Sequence, residues 1–143
     1  MEGAALNAIR TVGDVMHRGV ITCAPETPLV EVIRRMNQEH VHALVVTGPD
    51  GTAVGVVSQT DLLAAGFTSP YSEEFRGMAA WHLMSSPVIA VKTDVSLARA
   101  VAILQDRLIH RLVVVAGSGE EPAKPVGILS VTDLVRHLGE PAP

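Results

Sequence analysis

Ser58, Thr60 and Asp61 stand in a short run, GVVSQTDLL at 55–63, and the same residue types recur as Ser130, Thr132 and Asp133 in GILSVTDLV at 127–135. In each run an apolar, β-branched stretch leads into a polar cluster and then a second apolar group, the pattern of a buried strand passing directly into a helix. Hydroxyl and carboxylate at such a junction can do two things. Ser followed three residues later by an acidic group can close a capping box, the hydroxyl accepting from a helical N–H and the carboxylate from the N–H of the cap. A helix N-terminus also offers free N–H groups and the positive end of its dipole to an anion, so hydroxyls there can share a phosphate. A carboxylate beside a phosphate would be repelled, but it can accept hydrogen bonds from a sugar diol, as the acidic residue of dinucleotide folds does from a ribose.

The elements that position these junctions also come twice. A short helix is expected at 9–16 (IRTVGDVM) after a loosely held lead at 1–8, then a strand at 20–23 (VITC). Thr27 is the expected cap of the next helix, with Pro28 at its first position, where a missing N–H costs least. Leu29, Val32, Ile33 and Met36 recur at i, i+3, i+4 and i+7 and make one apolar stripe, ending near His40. A strand at 43–47 (ALVVT), a turn with an Asp50-Gly51 hairpin signal and a returning strand at 53–57 lead to the first junction, whose helix runs to about residue 65. The stretch 66–77 loses the periodicity. The series then resumes with a helix at 80–84 (AWHLM), a strand at 88–91 (VIAV), a helix over 95–109 with Leu97, Val101, Leu104 and Leu108 on its apolar face, and strands at 112–116 and 126–129.

Aligning Met16 with Met84 (84 − 16 = 68) also aligns Val20 with Val88, Leu29 with Leu97 and His42 with His110, whereas Asp61 and Asp133 differ by 72, so the second copy holds four more residues between its paired strands. Hairpin turns tolerate such insertions. The predicted fold class is α/β (α+β), two tandem βαββα repeats packed as a pseudo-twofold pair, with repeat one at 9–66, a linker at 67–79 and repeat two at 80–138.

Composition narrows the partners. The chain has 143 residues, 48% of them hydrophobic, enough for a substantial core, and a net charge of −4 that gives no electrostatic reason to expect nucleic acid. Cys23 is the only cysteine, so no intrachain disulfide forms. No run approaches the roughly 20 apolar residues of a membrane span, and the first residues lack a secretory apolar segment, so the expected location is cytoplasmic.

The duplicated series resembles the cystathionine β-synthase (CBS) domain, and the span from about Ile9 to Leu138 resembles a CBS pair, or Bateman module. The residues that carry the resemblance are DVM and HLM before VITC and VIAV, the strands VHALVVT and IHRLVVV, and the closing GVVSQTDLL and GILSVTDLV. The resemblance implies two clefts between the repeats that bind adenosine-containing ligands such as AMP, ADP, ATP or S-adenosylmethionine, with no required cofactor. It places the ribose hydroxyls on Asp61 and Asp133, ribose or phosphate on Ser58, Thr60, Ser130 and Thr132, and adenine beside Val20, Ile21 and Thr22 or Val88, Ile89 and Ala90. His42, His110 and Arg111 precede the second strand of their repeats, where the family places a basic residue toward phosphate. Ala43 stands where repeat two has Arg111, so the clefts are expected to be unequal.

The resemblance also implies a regulatory rather than catalytic protein, a homodimer, and an unidentified protein target that senses ligand-dependent association. The competing expectation is a ligand-free dimerisation or docking scaffold in which Ser and Asp serve only as caps. His40 and His42 suggest a metal site, but repeat two has Leu108 at the first position and no Cys or carboxylate cluster accompanies them. The glycine-rich stretch AGSGEE at 116–121 lacks a Walker lysine and aligns with the plain turn GPDGT. No GxSxG elbow is present.

Overall fold

The computed structural model describes residues 10–67, 74–116 and 124–140. The lead at 1–8, the centre of the linker at 68–73 and the glycine-rich stretch 117–121 lie outside the described residues. In chain order the elements are α1 (Val12–Val15), β1 (His17–Arg18), β2 (Thr22–Cys23), α2 (Leu29–Glu39), β3 (Ala43–Thr47), β4 (Ala53–Ser58) and α3 (Gln59–Phe67). A 3-10 turn (Glu74–Gly77) precedes α4 (Ala80–Leu83), β5 (Ala90–Lys92), α5 (Leu97–Arg107), β6 (Arg111–Val115), β7 (Pro125–Ser130) and α6 (Val131–Leu138).

The chain forms two compact units, residues 20–88 and residues 1–19 with 89–143. Each holds one βαββα series, but the opening helices are exchanged between them. In the first unit α4 joins the turn before α2, Ala80 N–H donating to the Thr27 carbonyl at 2.9 Å and Trp81 N–H to Pro25 at 3.0 Å. In the second unit α1 does the same, Val12 N–H reaching the Val95 carbonyl at 2.8 Å and Gly13 N–H reaching Thr93 at 2.9 Å.

In the first unit β2 runs parallel to β3, and β3 pairs antiparallel with β4, in the order β2-β3-β4. Leu29, Val32 and Met36, the apolar stripe of α2, pack with Leu44, Val46, Val57, Leu62 and Cys23. Burying each large side chain of that stripe contributes on the order of 1.5–3 kcal/mol. The second unit repeats the plan with Ala100 and Leu104 against Leu112, Val114 and Leu129, with Leu97 buried at the start of its helix, and its sheet gains β1 along the free edge of β7.

Several boundaries differ from the expectations, each for a local reason. The Thr27 hydroxyl is occupied by the Ala24 N–H at 3.0 Å, so Pro28 is the N-cap of α2 and the helix starts at Leu29. The equivalent of Pro28 in repeat two, Ser96, does cap its helix, accepting from Arg99 N–H at 3.1 Å. Leu108 does not belong to the apolar face of α5: it takes a left-handed conformation (φ 54°) that closes the helix, and its side chain is 88% exposed. His40 closes α2 in the same way, with φ 53°. The strands expected at 20–23 and 88–91 are paired only at Thr22–Cys23 and Ala90–Lys92.

Candidate functional site

The first junction forms where β4 becomes α3. Ser58 N–H and Oγ both donate to Asp61 Oδ2, at 2.8 and 2.9 Å, and Asp61 N–H donates back to Ser58 Oγ at 3.2 Å. The second junction, between β7 and α6, closes alike, Ser130 N–H to Asp133 Oδ2 at 3.0 Å and Asp133 N–H to Ser130 Oγ at 3.1 Å. Both are capping boxes, so one carboxylate oxygen of each Asp is spent on the helix start. The other oxygens differ. Asp133 Oδ1 lies 3.6 Å from the Arg136 guanidinium, whereas Asp61 Oδ1 has no cation beside it among the described residues.

The rest of each candidate set converges on the same end of its own sheet. The His42 carbonyl accepts from Gln59 N–H at 3.0 Å, and the His110 carbonyl from Val131 N–H at 3.0 Å, which ties the start of β3 or β6 to the first residue of the following helix. Ala43 is the register partner of Ser58, and Arg111 is that of Ser130. Residues directly opposite across a ladder share a face, so Arg111 and Ser130 stand side by side. The half-buried Arg111 makes no ion pair among the described residues.

Alternation along the strands decides which face these groups use. Leu44, Val46 and Val57 point into the first core, so Ala43 and Ser58 lie on the opposite face, and Thr22, which pairs with Val45, joins them together with Val20. In the second unit Ala90, Arg111 and Ser130 have the corresponding positions, while Val88 is the last residue of the first unit. Ile21 and Ile89 differ from their neighbours: their side chains pack against the cores, and their carbonyls accept from Val45 and Val113 N–H at 3.1 Å. The structure therefore brings His42, Ser58, Asp61, Val20 and Thr22 to one sheet end, and His110, Arg111, Ser130, Asp133 and Ala90 to the other unit's equivalent. Thr60 and Thr132 are exposed on the first turns of α3 and α6.

Two charged groups beside these sets escaped the sequence reading. Arg136 is one; its only signal was the i, i+3 spacing from Asp133, which places two side chains on one helix face. Arg35 is the other, its guanidinium donating to the Thr22 carbonyl at 2.8 Å while its Nε lies 3.2 Å from Glu31. Repeat two has Ile103 at that position under the offset of 68, so only the first unit holds its strand in this way. Glu31 also chelates Arg34, and these guanidinium contacts, Arg34 foremost, hold its carboxyl below the usual range. No group of three or more metal-ligating side chains occurs among the described residues.

Comparison with known proteins adds an independent line. The CBS domain family profile matches residues 12–67 and 80–140. An uncharacterised protein of Methanopyrus kandleri is 28% identical over 126 residues, which cover 88% of this chain and 61% of that protein. The chain thus spans less than two thirds of that relative's length. Among solved structures, CBSX2 in complex with AMP is 29% identical with a TM-score of 0.71, covering 90% of this chain and 95% of that one. The CBS domain pair of MJ0100, solved with 5′-methylthioadenosine and S-adenosyl-L-methionine, has a TM-score of 0.77 over 92% of this chain and 97% of its own, at 19% identity.

Proposed function

Because the chain belongs to the CBS domain family and carries two copies of the domain, we propose that it is a regulatory module that binds an adenosine-containing ligand and transmits occupancy to a partner or to its own association state. The observation that supports this most is the equivalence of the two junctions. In both, a histidine carbonyl is bonded to the first helical N–H, a Ser–Asp pair starts the helix, and an exposed threonine follows the serine by two positions. The AMP complex of CBSX2, a relative at 29% identity, supports the ligand class.

In this reading the carboxylate oxygen of Asp61 or Asp133 that the capping box does not use takes the ribose hydroxyls, and the N-termini of α3 and α6 with Ser58, Thr60, Ser130 and Thr132 attract the phosphate. Val20 and Thr22, or Ala90 in the second unit, form the apolar wall beside the base, with the backbones of Ile21 and Ile89 beside them. Arg111 and Arg136 give the second set two guanidinium groups where the first has Ala43 and Ala64. Asp133→Ala is therefore expected to weaken a phosphorylated ligand more than Asp61→Ala. No cofactor is required and no residue is assigned to catalysis.

Leu63 and Phe67 on α3, 61% and 84% exposed, and Val135 and Leu138 on α6, 61% and 67% exposed, are surfaces through which a homodimer would form. A ligand shifts such an equilibrium only through its different affinity for the two states. A second reading, a scaffold without ligand, draws on the fact that both capping boxes are closed internally and so account for Ser and Asp on structural grounds. A melting-temperature screen with AMP, ADP, ATP, NAD and S-adenosylmethionine separates the two. Binding to the native state raises the melting point with ligand concentration, whereas a scaffold is unmoved at millimolar levels.

A further inference from the structure

β2 and β5 are the end strands of their sheets, so each carries a row of backbone N–H and C=O groups that no neighbouring strand takes up. In the first unit Val45 N–H donates to the Ile21 carbonyl at 3.1 Å, and Thr22 is the register partner of Val45. A parallel ladder bonds the residues on either side of that partner, so the N–H and carbonyl of Thr22 point off the edge. In the second unit Val113 N–H donates to the Ile89 carbonyl at 3.1 Å and Ala90 is its register partner, which turns the N–H and carbonyl of Ala90 off the edge of β5.

The two edges offer different groups. At Ala90 a donor and an acceptor stand together, and no side chain donates to that carbonyl among the described residues. At Thr22 the carbonyl already accepts from Arg35 Nη1 at 2.8 Å, while Glu31 Oε1, 3.2 Å from Arg35 Nε, steadies the guanidinium. A guanidinium carries N–H donors and no acceptor, so the first edge presents donors alone. The difference belongs to one repeat: under the offset of 68, Glu31 and Arg35 become Arg99 and Ile103, and Ile103 packs against the second core. Purines differ in the same terms. Adenine presents its N6 amino donor beside the N7 acceptor, whereas a 6-oxopurine presents two acceptors, O6 and N7. We infer that Arg35 sets the choice of base, so that the first set prefers a 6-oxopurine nucleotide, held by Thr22 N–H and the guanidinium, and the second prefers a 6-aminopurine at Ala90. The inference rests on the proposed reading that a nucleotide base lies beside Thr22 or Ala90.

Calorimetric titration of the whole chain with inosine monophosphate and with AMP tests this, since the two nucleotides differ only in the base. Asp133→Ala leaves the first set to be read, and Asp61→Ala the second. The Asp133→Ala chain is expected to bind inosine monophosphate about tenfold more tightly than AMP, and the Asp61→Ala chain to show the opposite order. Adding Arg35→Met to Asp133→Ala frees the Thr22 carbonyl while keeping an apolar stem, so the order should turn to favour AMP. AMP preferred by the Asp133→Ala chain, or a preference for inosine monophosphate that survives Arg35→Met, would overturn the inference. Equal weakening of both nucleotides by Arg35→Met would also overturn it, because that is the effect of a structural prop. The comparison between the two Asp variants leaves Arg35 in place, so it decides the matter even where Arg35→Met does not fold. Uptake of neither nucleotide by the wild-type chain would remove the ligand reading and this inference together, whereas AMP binding without the opposed preferences would remove this inference alone.

Discussion

Replacing Gly127 by alanine should damage the fold more than the same change at Gly55, although the two glycines open the same duplicated motif. A Cβ on Gly127 would lie 2.6 Å from the carbonyl oxygen of His17 and 2.9 Å from Met16 Sδ. The oxygen belongs to β1, which pairs with β7 at Arg18 and Gly127, and the adjoining Gly19 N–H donates to the Val126 carbonyl at 2.9 Å. The clash can be relieved only by moving that backbone, so an overpacking cost of about 1–3 kcal/mol is joined by weakened ladder bonds at roughly 0.5–1.5 kcal/mol each. At Gly55 the nearest atoms are Met84 Sδ at 2.5 Å, Cγ at 2.8 Å and Cβ at 2.9 Å. All belong to one side chain, whose Sδ and Cγ can turn away while Cβ, held by the Met84 backbone, must shift slightly, so the cost should be about 1–2 kcal/mol. With about 2–4 °C of melting temperature per kcal/mol for a chain near this size, a loss of about 3 kcal/mol for Gly127→Ala lowers the transition by about 6–12 °C. Gly55→Ala should lower it by less. Thermal unfolding followed by circular dichroism decides the matter: an equal or larger fall for Gly55→Ala, or no fall for Gly127→Ala, would refute the steric reasoning.

Burial pushes the Cys23 thiol up to about 11 from its ordinary 9.0. It should therefore resist a disulfide reagent at pH 8 until the protein unfolds, and fast reaction in the native state would contradict its burial. The same shift fixes a sign: the unfolded thiol ionises above about pH 9 while the folded one stays protonated, so this contribution to stability is complete below about pH 9 and declines as the pH rises toward 11. Leu108→Gly should stabilise the protein by about 1 kcal/mol, since the side chain is 88% exposed and its left-handed backbone favours glycine; a lower denaturant midpoint would count against this. Asp61→Ala should cost about 1 kcal/mol without ligand, because it opens the capping box at α3, and unfolding in urea would register it as a shifted midpoint at constant slope.

Much of this architecture is legible in the chain because it is local and repeated. The stripe of Leu29, Val32 and Met36 marks α2, and the recurrence of Ser58 and Asp61 as Ser130 and Asp133 marks both strand-to-helix junctions. What the pattern does not reveal depends on tertiary placement. Nothing near Ile9 indicates that the first helix docks against the turn before α5, because those hydrogen bonds run from Val12 and Gly13 to residues far along the chain. Leu108 has the spacing of a core residue, yet the left-handed turn that ends α5 points it outward. Thr27 has the chemistry of a cap, but a turn N–H claims its hydroxyl first. Arg136 reads as an ordinary surface cation, since an i, i+3 spacing from an acidic residue is common on exposed helices and does not by itself mark a site.

The central claim, that the duplicated junctions hold an adenosine-containing ligand as well as capping two helices, is tested most directly by calorimetric titration of AMP into the wild-type chain, Asp61→Ala and Asp133→Ala. Saturable binding by the wild type is expected, weakened by both substitutions and more strongly by Asp133→Ala. Folded protein that takes up no AMP, ADP, ATP, NAD or S-adenosylmethionine at millimolar concentration would contradict it, and would leave the Ser and Asp pairs as caps alone.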